Sequence, residues 1–161
     1  MFEHFTQKQL EEDPYLLLLI TLGSEIEREN QFEYISDDIW HLDTECIQDH
    51  GDYKGIIQRL VQLSKGALMI TNIEDNVDID NDEAWVSFNL DGEHKRIELK
   101  VEDDWLDPSL FSKINHIISK FGLGKRFYYA VLGQDILVGF YNEEQIRKLN
   151  KLLKGKKILF N

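Results

Sequence analysis

The chain has 161 residues, of which 42% are hydrophobic and 30% are charged, and its formal net charge is −12. These values are typical of a folded chain, and the length predicts one globular domain over residues 1–161. The acidic balance argues against binding to nucleic-acid phosphates, and the longest apolar run, Tyr15–Ile20, is too short to cross a membrane.

The charge is distributed unevenly along the chain. Through Asp107 there are 27 acidic residues against 8 basic ones, whereas from Pro108 onward there are 3 against 10. A large surplus of like charge destabilises a compact state, so it calls for a reason beyond solubility. We interpret the acidic two-thirds of the chain as the source of a surface for a basic partner.

The chain contains a single cysteine, Cys46. One cysteine excludes an internal disulfide and fits a reducing compartment. The N-terminus has no basic, apolar and small-residue pattern of the kind that directs secretion, so we expect a cytoplasmic protein. Cys46 lies in an alternating strand pattern with no activating group nearby in sequence, which predicts a small buried hydrophobe.

The N-terminal half gives one ambiguous segment and one clear strand. Thr6–Glu12 fits a short helix, and Tyr15–Leu22 fits either a buried strand or the core of a helix. Trp40–Ile47 alternates apolar and polar side chains, which predicts a half-buried strand.

A helix is predicted next, over Tyr53–Lys65. Asp52 is placed to cap it, Gly66 to end it, and apolar residues recur every three or four positions between them. Leu68–Ile73 then fits a short strand.

The remaining elements are two hairpins, two helices and a terminal strand. The turn dipeptides Asp91-Gly92 and Gly133-Gln134 mark the hairpins. The predicted strands are Ala84–Leu90, His94–Val101, Arg126–Leu132, Asp135–Tyr141 and Lys157–Phe160, and the predicted helices are Pro108–Phe121, after a cap at Asp107, and Glu143–Lys154, with a capping box from Asn142 to Gln145. This order predicts an α+β fold, mainly an antiparallel sheet built from hairpins with about three to four helices packed against it.

The first candidate site is the polar side of the strand that begins at Trp40. His41, Asp43 and Glu45 recur at every second residue and so share one face, and Asp49, His50 and Asp52 follow in the turn. A histidine and carboxylates are able to bind a divalent metal, but they also form the solvated side of many strands. No ligand spacing of a known type is present, which favours the solvated face.

The second candidate is the acidic run Asp75–Glu83. Asp78, Asp80 and Asp82 match the first, third and fifth positions of a calcium loop. The sixth position should be glycine and is Glu83, so the match fails where the geometry is strictest. We interpret the run as an acidic loop before a hairpin; its functional alternative is a docking patch for a cationic partner.

The third candidate is the segment in which Glu102, Asp103 and Asp104 precede Trp105. An aromatic side chain ringed by charge is a frequent composition of interface hot spots. The alternative is a strand end with Trp105 packed inward.

These acidic stretches, Asp43–Asp52, Asp75–Glu83 and Glu102–Asp104, with Trp40 and Trp105 interleaved, resemble the composition of bacterial immunity proteins. The resemblance is one of type: a small, strongly acidic α+β chain with one cysteine. It implies an intracellular protein that neutralises a polymorphic or contact-dependent toxin. Such proteins cover the active site or substrate surface of a basic toxin domain, often a nuclease.

We therefore predict a non-catalytic binding protein with a basic protein partner, no cofactor and no catalytic residue. The predicted partner-binding residues are Trp40, Asp43, Glu45, Asp49, Asp52, Asp78, Asp80, Asp82, Glu102, Asp103, Asp104 and Trp105. Two alternatives stay open: a metal-dependent enzyme that uses the His41 cluster, and an adaptor subunit of a larger assembly, whose sign would be an exposed apolar patch. The sequence leaves the oligomeric state open.

Overall fold

The computed structural model describes residues 13–153 and residue 160. Within these residues it contains helices and antiparallel sheets, which confirms the predicted α+β class. The chain divides into two compact units. Unit 1 consists of Met1–Leu42 and Phe127–Asn161, and unit 2 consists of Asp43–Arg126. The single domain predicted from the chain length stays a prediction.

The described part of unit 1 is built from a β-hairpin, a three-stranded sheet and two helices. The helices are α1 (Pro14–Gly23) and α4 (Glu143–Leu152), and the strands are β1 (Glu25–Arg28), β2 (Gln31–Tyr34), β3 (Trp40–Asp43), β7 (Arg126–Val131) and β8 (Asp135–Tyr141). Strands β1 and β2 pair with each other, and the larger sheet has the order β3–β8–β7. The hairpin at Gly133-Gln134 is therefore confirmed.

The ambiguous segment Tyr15–Leu22 is helical, because it lies within α1. Proline is tolerated in the first turn of a helix, where its missing N–H has no partner to lose, and Pro14 is the first helical residue. At the other end, Gly23 packs so closely on β3 that a Cβ atom there would lie 2.5 Å from the backbone nitrogen of His41. Only glycine permits this approach.

The core of unit 1 forms between its sheet and the helices α1 and α4. Its buried members include Ile39, Tyr128, Ala130, Leu137, Tyr141, Ile146, Leu153 and Phe160. The Tyr141 hydroxyl donates a 2.6 Å hydrogen bond to the carbonyl of Asp38. The predicted capping box is also present: Asn142 accepts from the backbone of Gln145, and the Gln145 side chain accepts from the backbone of Asn142.

Unit 2 contains a three-stranded antiparallel sheet and two helices. The helices are α2 (Asp52–Leu63) and α3 (Ser109–Ile118, followed by a 3-10 turn over Ser119–Phe121), and the strands are β4 (Ile70–Asp78), β5 (Glu83–Leu90) and β6 (Glu93–Leu99), in the order β4–β5–β6. Asp91 and Gly92 join β5 to β6 with φ values of 52° and 78°. Two positive φ angles are what a type I′ hairpin turn requires, which confirms this hairpin.

The core of unit 2 follows the apolar stripes predicted for its two helices. Fully buried side chains include Tyr53, Ile57 and Leu60 from α2, Val86 and Phe88 from β5, and Leu110, Phe111 and Ile114 from α3. Helical spacing places Ile117 and Phe121 on the same side of the segment as these buried residues of α3. Ile117 is only half-buried and Phe121 is 38% exposed, so one flank of the helix is not covered.

Two predicted strand boundaries are wrong. Strand β3 ends at Asp43 instead of Ile47, because the Asp43 carboxylate accepts a hydrogen bond from the backbone nitrogen of Glu45 and turns the chain. Strand β4 begins at Ile70 and continues to Asp78, so much of the predicted acidic loop is strand. The predicted elements at Thr6–Glu12 and in residues 157–159 lie outside the described residues.

The two units share the negative charge that the sequence concentrates in one stretch. Unit 2 carries 17 acidic and 10 basic residues, a net of −7, and unit 1 carries 13 and 8, a net of −5. The basic C-terminal stretch is divided between them. In the described part of the chain, no helix combines the length and apolar character needed to cross a membrane.

Candidate functional site

Two acidic segments that are far apart in the sequence pair with each other in unit 2. The backbone nitrogen of Leu106 donates to the carbonyl of Thr44 at 2.8 Å, and that of Ile47 donates to the carbonyl of Asp104 at 2.9 Å. Between these bonds, Glu45 and Trp105 face each other in an antiparallel bridge. The segments around Glu45 and Trp105, from the first and third candidate regions, therefore lie side by side in unit 2.

Two buried side chains, Tyr53 and Asp107, hold the segment that contains Trp105 in place. The fully buried Tyr53 of α2 accepts a hydrogen bond from the backbone nitrogen of Asp107 through its hydroxyl oxygen at 3.1 Å. Burial raises the pKa of Tyr53 to about 12, so the hydroxyl stays neutral. Asp107 in turn accepts from the backbone and hydroxyl of Ser109, which confirms its predicted role at the start of α3.

Trp105 itself lies at the surface, with 38% of its area exposed. It closes a tight turn in which its backbone nitrogen donates to the carbonyl of Glu102, and Asp103 has a φ of 54°. Glu102 and Asp103 are exposed and Asp104 is half-buried. Their carboxylates make no hydrogen bond or ion pair with any other residue that the structure describes.

The Cys46 thiol is influenced by carboxylates from both acidic segments. Its thiol pKa is raised to about 12, first by burial and then by the negative charges of Asp52, Asp43 and Asp104. The negative charges of these three carboxylates therefore act on one thiol. Cys46 was predicted to be a small buried hydrophobe, but it is only half-buried.

We call this surface the Trp105 patch and define it by Asp43, Glu45, Asp52, Glu102, Asp103, Asp104 and Trp105. Its residues come from positions 43–52 and 102–105, fifty or more residues apart in the chain. Asp43 and Glu45 make further contacts within the protein and are exposed to solvent.

Asp49 and Asp52 also have a structural task. Asp52 was predicted to cap helix α2, but it is the first helical residue, and its carboxylate accepts from the backbone nitrogens of Gln48 and Asp49 at 2.7 and 2.9 Å. Asp49 accepts from the backbone nitrogen of His50. The predicted cap is wrong because residue 51 is a glycine with a φ of 102°, which shifts the helix start.

The capping carboxylate comes from Asp75, on the neighbouring strand β4. It accepts from the backbone nitrogens of Gly51 and Lys54 at 2.9 and 3.0 Å. The second candidate run thus contributes a structural residue. No local sequence signal identifies this cap, because the donor and acceptor are 24 positions apart.

The rest of that run forms the end of β4, the turn over residues 79–82 and the first residue of β5. Asp78 accepts from the backbone and side-chain nitrogens of Asn81, and Asp82 has a φ of 54°. Asp78 also pairs with Glu83 across the two strands. Asp78 therefore ends strand β4, Asp80 and Asp82 lie in the hairpin turn, and none of the three is part of the Trp105 patch as defined above.

Trp40 lies inside unit 1 and does not form a surface. It is 6% exposed, and its ring meets Tyr34 edge-on at a centroid distance of 6.4 Å. A side chain so buried supports the fold, and we leave it out of the Trp105 patch.

The two histidines of the metal hypothesis lie near other groups, although the buried His41 Nε2 makes no hydrogen bond to any residue that the structure describes. Within unit 1, the His41 ring nitrogens lie 3.4 Å from the Ser24 hydroxyl and 3.4 Å from the Asp135 carboxylate. The Ser24 hydroxyl also donates to the Ile20 carbonyl at 2.7 Å, so Ser24 satisfies a carbonyl in the last turn of α1. In unit 2, His50 accepts from the backbone nitrogen of Val77. Over residues 13–153 and 160, no group of three or more His, Cys, Asp or Glu is arranged to hold a metal ion.

One exposed element was not identified from the sequence. The β1–β2 hairpin carries Phe32, which is 72% exposed, opposite Glu27. Its turn, Glu29-Asn30, has φ values of 50° and 64°. Asparagine tolerates that conformation, so Asn30 is a signal of the turn in the sequence. The turn has no glycine, the residue that makes a hairpin turn easy to recognise.

Comparison with known proteins gives no relative. No family model matches the chain, and searches of curated proteins and of solved structures each found no match.

Proposed function

We propose that this protein is a non-catalytic binding protein of the immunity or inhibitor type, which acts inside the bacterial cell on a basic protein partner. The observation that carries the proposal is the convergence of the two acidic segments around an exposed aromatic side chain. Glu45 faces Trp105 directly, and the charges of Asp43, Asp52 and Asp104 all raise the pKa of the Cys46 thiol. The fold does not require the carboxylates of Glu102, Asp103 and Asp104 for any internal bond among the described residues.

Such a surface is suited to rapid capture of a cationic protein. Clustered carboxylates produce a negative potential that extends about 8 to 10 Å into physiological salt. This potential steers a basic surface into contact and raises the association rate. Trp105 then offers a large rigid side chain that packs against aliphatic or guanidinium groups, so it governs the dissociation rate.

A nuclease-type toxin domain supplies a partner of matching chemistry. Its substrate surface has to be basic, because it neutralises the phosphates of a nucleic acid. A protein that covers this surface with carboxylates blocks the substrate without any catalytic residue. The proposed target of the Trp105 patch is therefore the substrate-binding surface of a basic toxin domain.

The test uses the protein encoded beside this one in the source genome, provided that it is basic. A triple variant, Glu102→Gln with Asp103→Asn and Asp104→Asn, removes charge from the Trp105 patch while Asn still tolerates the positive φ at residue 103. We expect the association rate to fall by about tenfold and to lose most of its salt dependence. Trp105→Ala should instead raise the dissociation rate by about tenfold.

A matched control removes the same charge from the exposed hairpin of unit 1. It combines Glu25→Gln, Glu27→Gln and Glu33→Gln, three exposed carboxylates outside the Trp105 patch. This variant should bind nearly as fast as the wild type. Equal weakening by both triple variants, or failure to retain any basic protein at low salt, would contradict the proposal.

A further inference from the structure

The side chain of His41 lies between two groups that both offer it a hydrogen-bond acceptor. Its Nδ1 is 3.4 Å from the hydroxyl oxygen of Ser24, which follows helix α1, and its Nε2 is 3.4 Å from a carboxylate oxygen of Asp135 at the start of β8. An ionised carboxylate only accepts hydrogen bonds. The Ser24 hydroxyl has one proton and donates it to the Ile20 carbonyl at 2.7 Å, so towards the ring it also accepts.

A neutral imidazole ring satisfies only one of these two neighbours. It carries one N–H group, and its other nitrogen is itself an acceptor. The Nε2 atom of His41 is buried and makes no hydrogen bond to any residue that the structure describes. A protonated ring has two N–H groups, one for each acceptor. The surroundings of His41 are therefore complementary to its cationic form.

The charges on the elements around His41 also favour the cation. In β8 the charged residue is Asp135, in β3 it is Asp43, and β1 begins with Glu25. Helix α1 contains no charged residue, and its end packs on the backbone of His41 at Gly23. The C-terminal end of a helix carries a partial negative charge, which interacts favourably with a nearby cation.

We propose that His41 is a pH-dependent link between three elements of unit 1. As the pH falls from about 8 to about 5, the ring takes up a second proton from the solvent and donates hydrogen bonds to both Ser24 and Asp135. The protonated ring then joins the end of α1, strand β3 and the first residue of β8. This link is independent of the proposed function, because the Trp105 patch belongs to unit 2.

The consequence of the link concerns helix α1, which covers part of the unit 1 core with Leu16, Leu19, Ile20 and Leu22. The contacts stabilise the protonated ring, so their contribution to stability is complete at about pH 5 and is lost as the pH rises toward about 8. The pH therefore sets how firmly α1 is held on the core.

The first test follows the ring signals of His41 by NMR in the full-length protein, between about pH 5 and pH 8.5. Asp135→Asn removes a charge from a side chain that is 40% exposed, so the variant should fold. We expect its His41 titration midpoint to lie about 0.5 to 1 pH unit below that of the wild type. Ser24→Ala keeps every charge but removes the other acceptor, and it should lower the midpoint by a smaller amount.

The matched control for this titration is Glu27→Gln. It makes the same change in net charge at an exposed position of unit 1 and should move the His41 midpoint by less than about 0.2 pH unit, because salt screens exposed charges. His94, which lies in unit 2, serves as an internal reference and should titrate alike in every variant.

The second test compares the stability of the wild type with that of His41→Gln, whose side chain does not titrate. From about pH 5 to about pH 8, the folded-to-unfolded ratio of the wild type should fall threefold to tenfold relative to that of the variant. Amide hydrogen exchange in α1, corrected for the intrinsic rate, should show the same change. Equal midpoints in the wild type, Asp135→Asn and Ser24→Ala, an equal shift in Glu27→Gln, or the same pH dependence of stability with and without His41 would each overturn the proposal.

Discussion

Asp75, on strand β4, caps helix α2: each of its two carboxylate oxygens lies 2.9 Å from the backbone nitrogen of Gly51. This contact joins strand β4 to the start of α2. It also fixes the loop that carries Asp49 and Asp52, next to the Trp105 patch. A negative group at a helix N-terminus satisfies free N–H groups and interacts favourably with the helix dipole.

We expect Asp75→Ala to destabilise the protein by about 1 kcal/mol, the usual effect of removing a helix cap. Denaturation by urea, followed by circular dichroism, measures the change. Asp80→Ala is the matched control, because Asp80 is exposed in the β4–β5 turn and should change stability by less than about 0.5 kcal/mol. Equal stabilities of the two variants would contradict the capping role.

Asp107 gives the stability a defined dependence on pH. Burial alone would raise its pKa. Hydrogen bonds from the backbone nitrogen of Lys100 and from the backbone nitrogen and hydroxyl of Ser109, together with the charge of Lys113, outweigh burial and lower the pKa below its usual value. A carboxylate with a lowered pKa stabilises the fold at pH values above its unfolded-state pKa. This contribution is lost as the pH falls through its folded-state pKa.

We therefore expect Asp107→Asn to cost about 1 to 3 kcal/mol at neutral pH, because an amide cannot accept all of these hydrogen bonds. The difference from the wild type should shrink as the pH falls below about 4. Urea denaturation at a series of pH values measures it. A difference that stays constant down to pH 2 would show that the ionised form of Asp107 is not what stabilises the fold.

The reactivity of Cys46 tests the geometry of the Trp105 patch without a partner. With a thiol pKa of about 12, Cys46 should react slowly with iodoacetamide at pH 8, since the thiolate is the reactive form. Asp104→Asn removes a nearby charge and should accelerate the reaction by about twofold or more. Asp80→Asn should leave the rate unchanged; an equal effect of both variants would contradict the proximity of Asp104.

Two glycines should respond in opposite directions to alanine. A Cβ atom at Gly23 would lie 2.5 Å from the His41 nitrogen and 2.9 Å from the Trp40 carbonyl carbon, so Gly23→Ala should cost about 1 to 3 kcal/mol. Gly55 lies within α2 with open space around its Cα, so Gly55→Ala should stabilise by about 0.5 to 1 kcal/mol. Thermal denaturation distinguishes the two, and stabilisation by both would contradict the close contact at Gly23.

Elements with strong local signals were predicted well. The turn at Asp91-Gly92 and the capping box at Asn142 are set by residues within four positions of one another, and both are present as expected. The segment Tyr15–Leu22 stayed ambiguous because its consecutive apolar residues carry neither the helical nor the strand period. Packing of Gly23 against His41 is one of the contacts that the helix makes and that no local pattern encodes.

The candidate site was predicted only in part. Trp105, Glu102 and Asp103 are exposed, whereas Asp104 is half-buried and Trp40 is buried. Asp75, from the second acidic run, is a helix cap. Composition alone does not distinguish an acidic residue that binds a backbone N–H from one that faces solvent. That distinction depends on where another segment happens to lie.

The sequence by itself determined the α+β class, the two hairpin turns and the surplus of negative charge, because these depend on hydrogen bonds, residue preferences and counts within a few positions. Only the tertiary structure decided that Glu45 faces Trp105 and that the basic C-terminal stretch is shared between two units. The reason is that both depend on contacts between segments far apart in the chain. Such contacts form when apolar faces are buried together, and the polar groups near them then take the positions that this packing leaves.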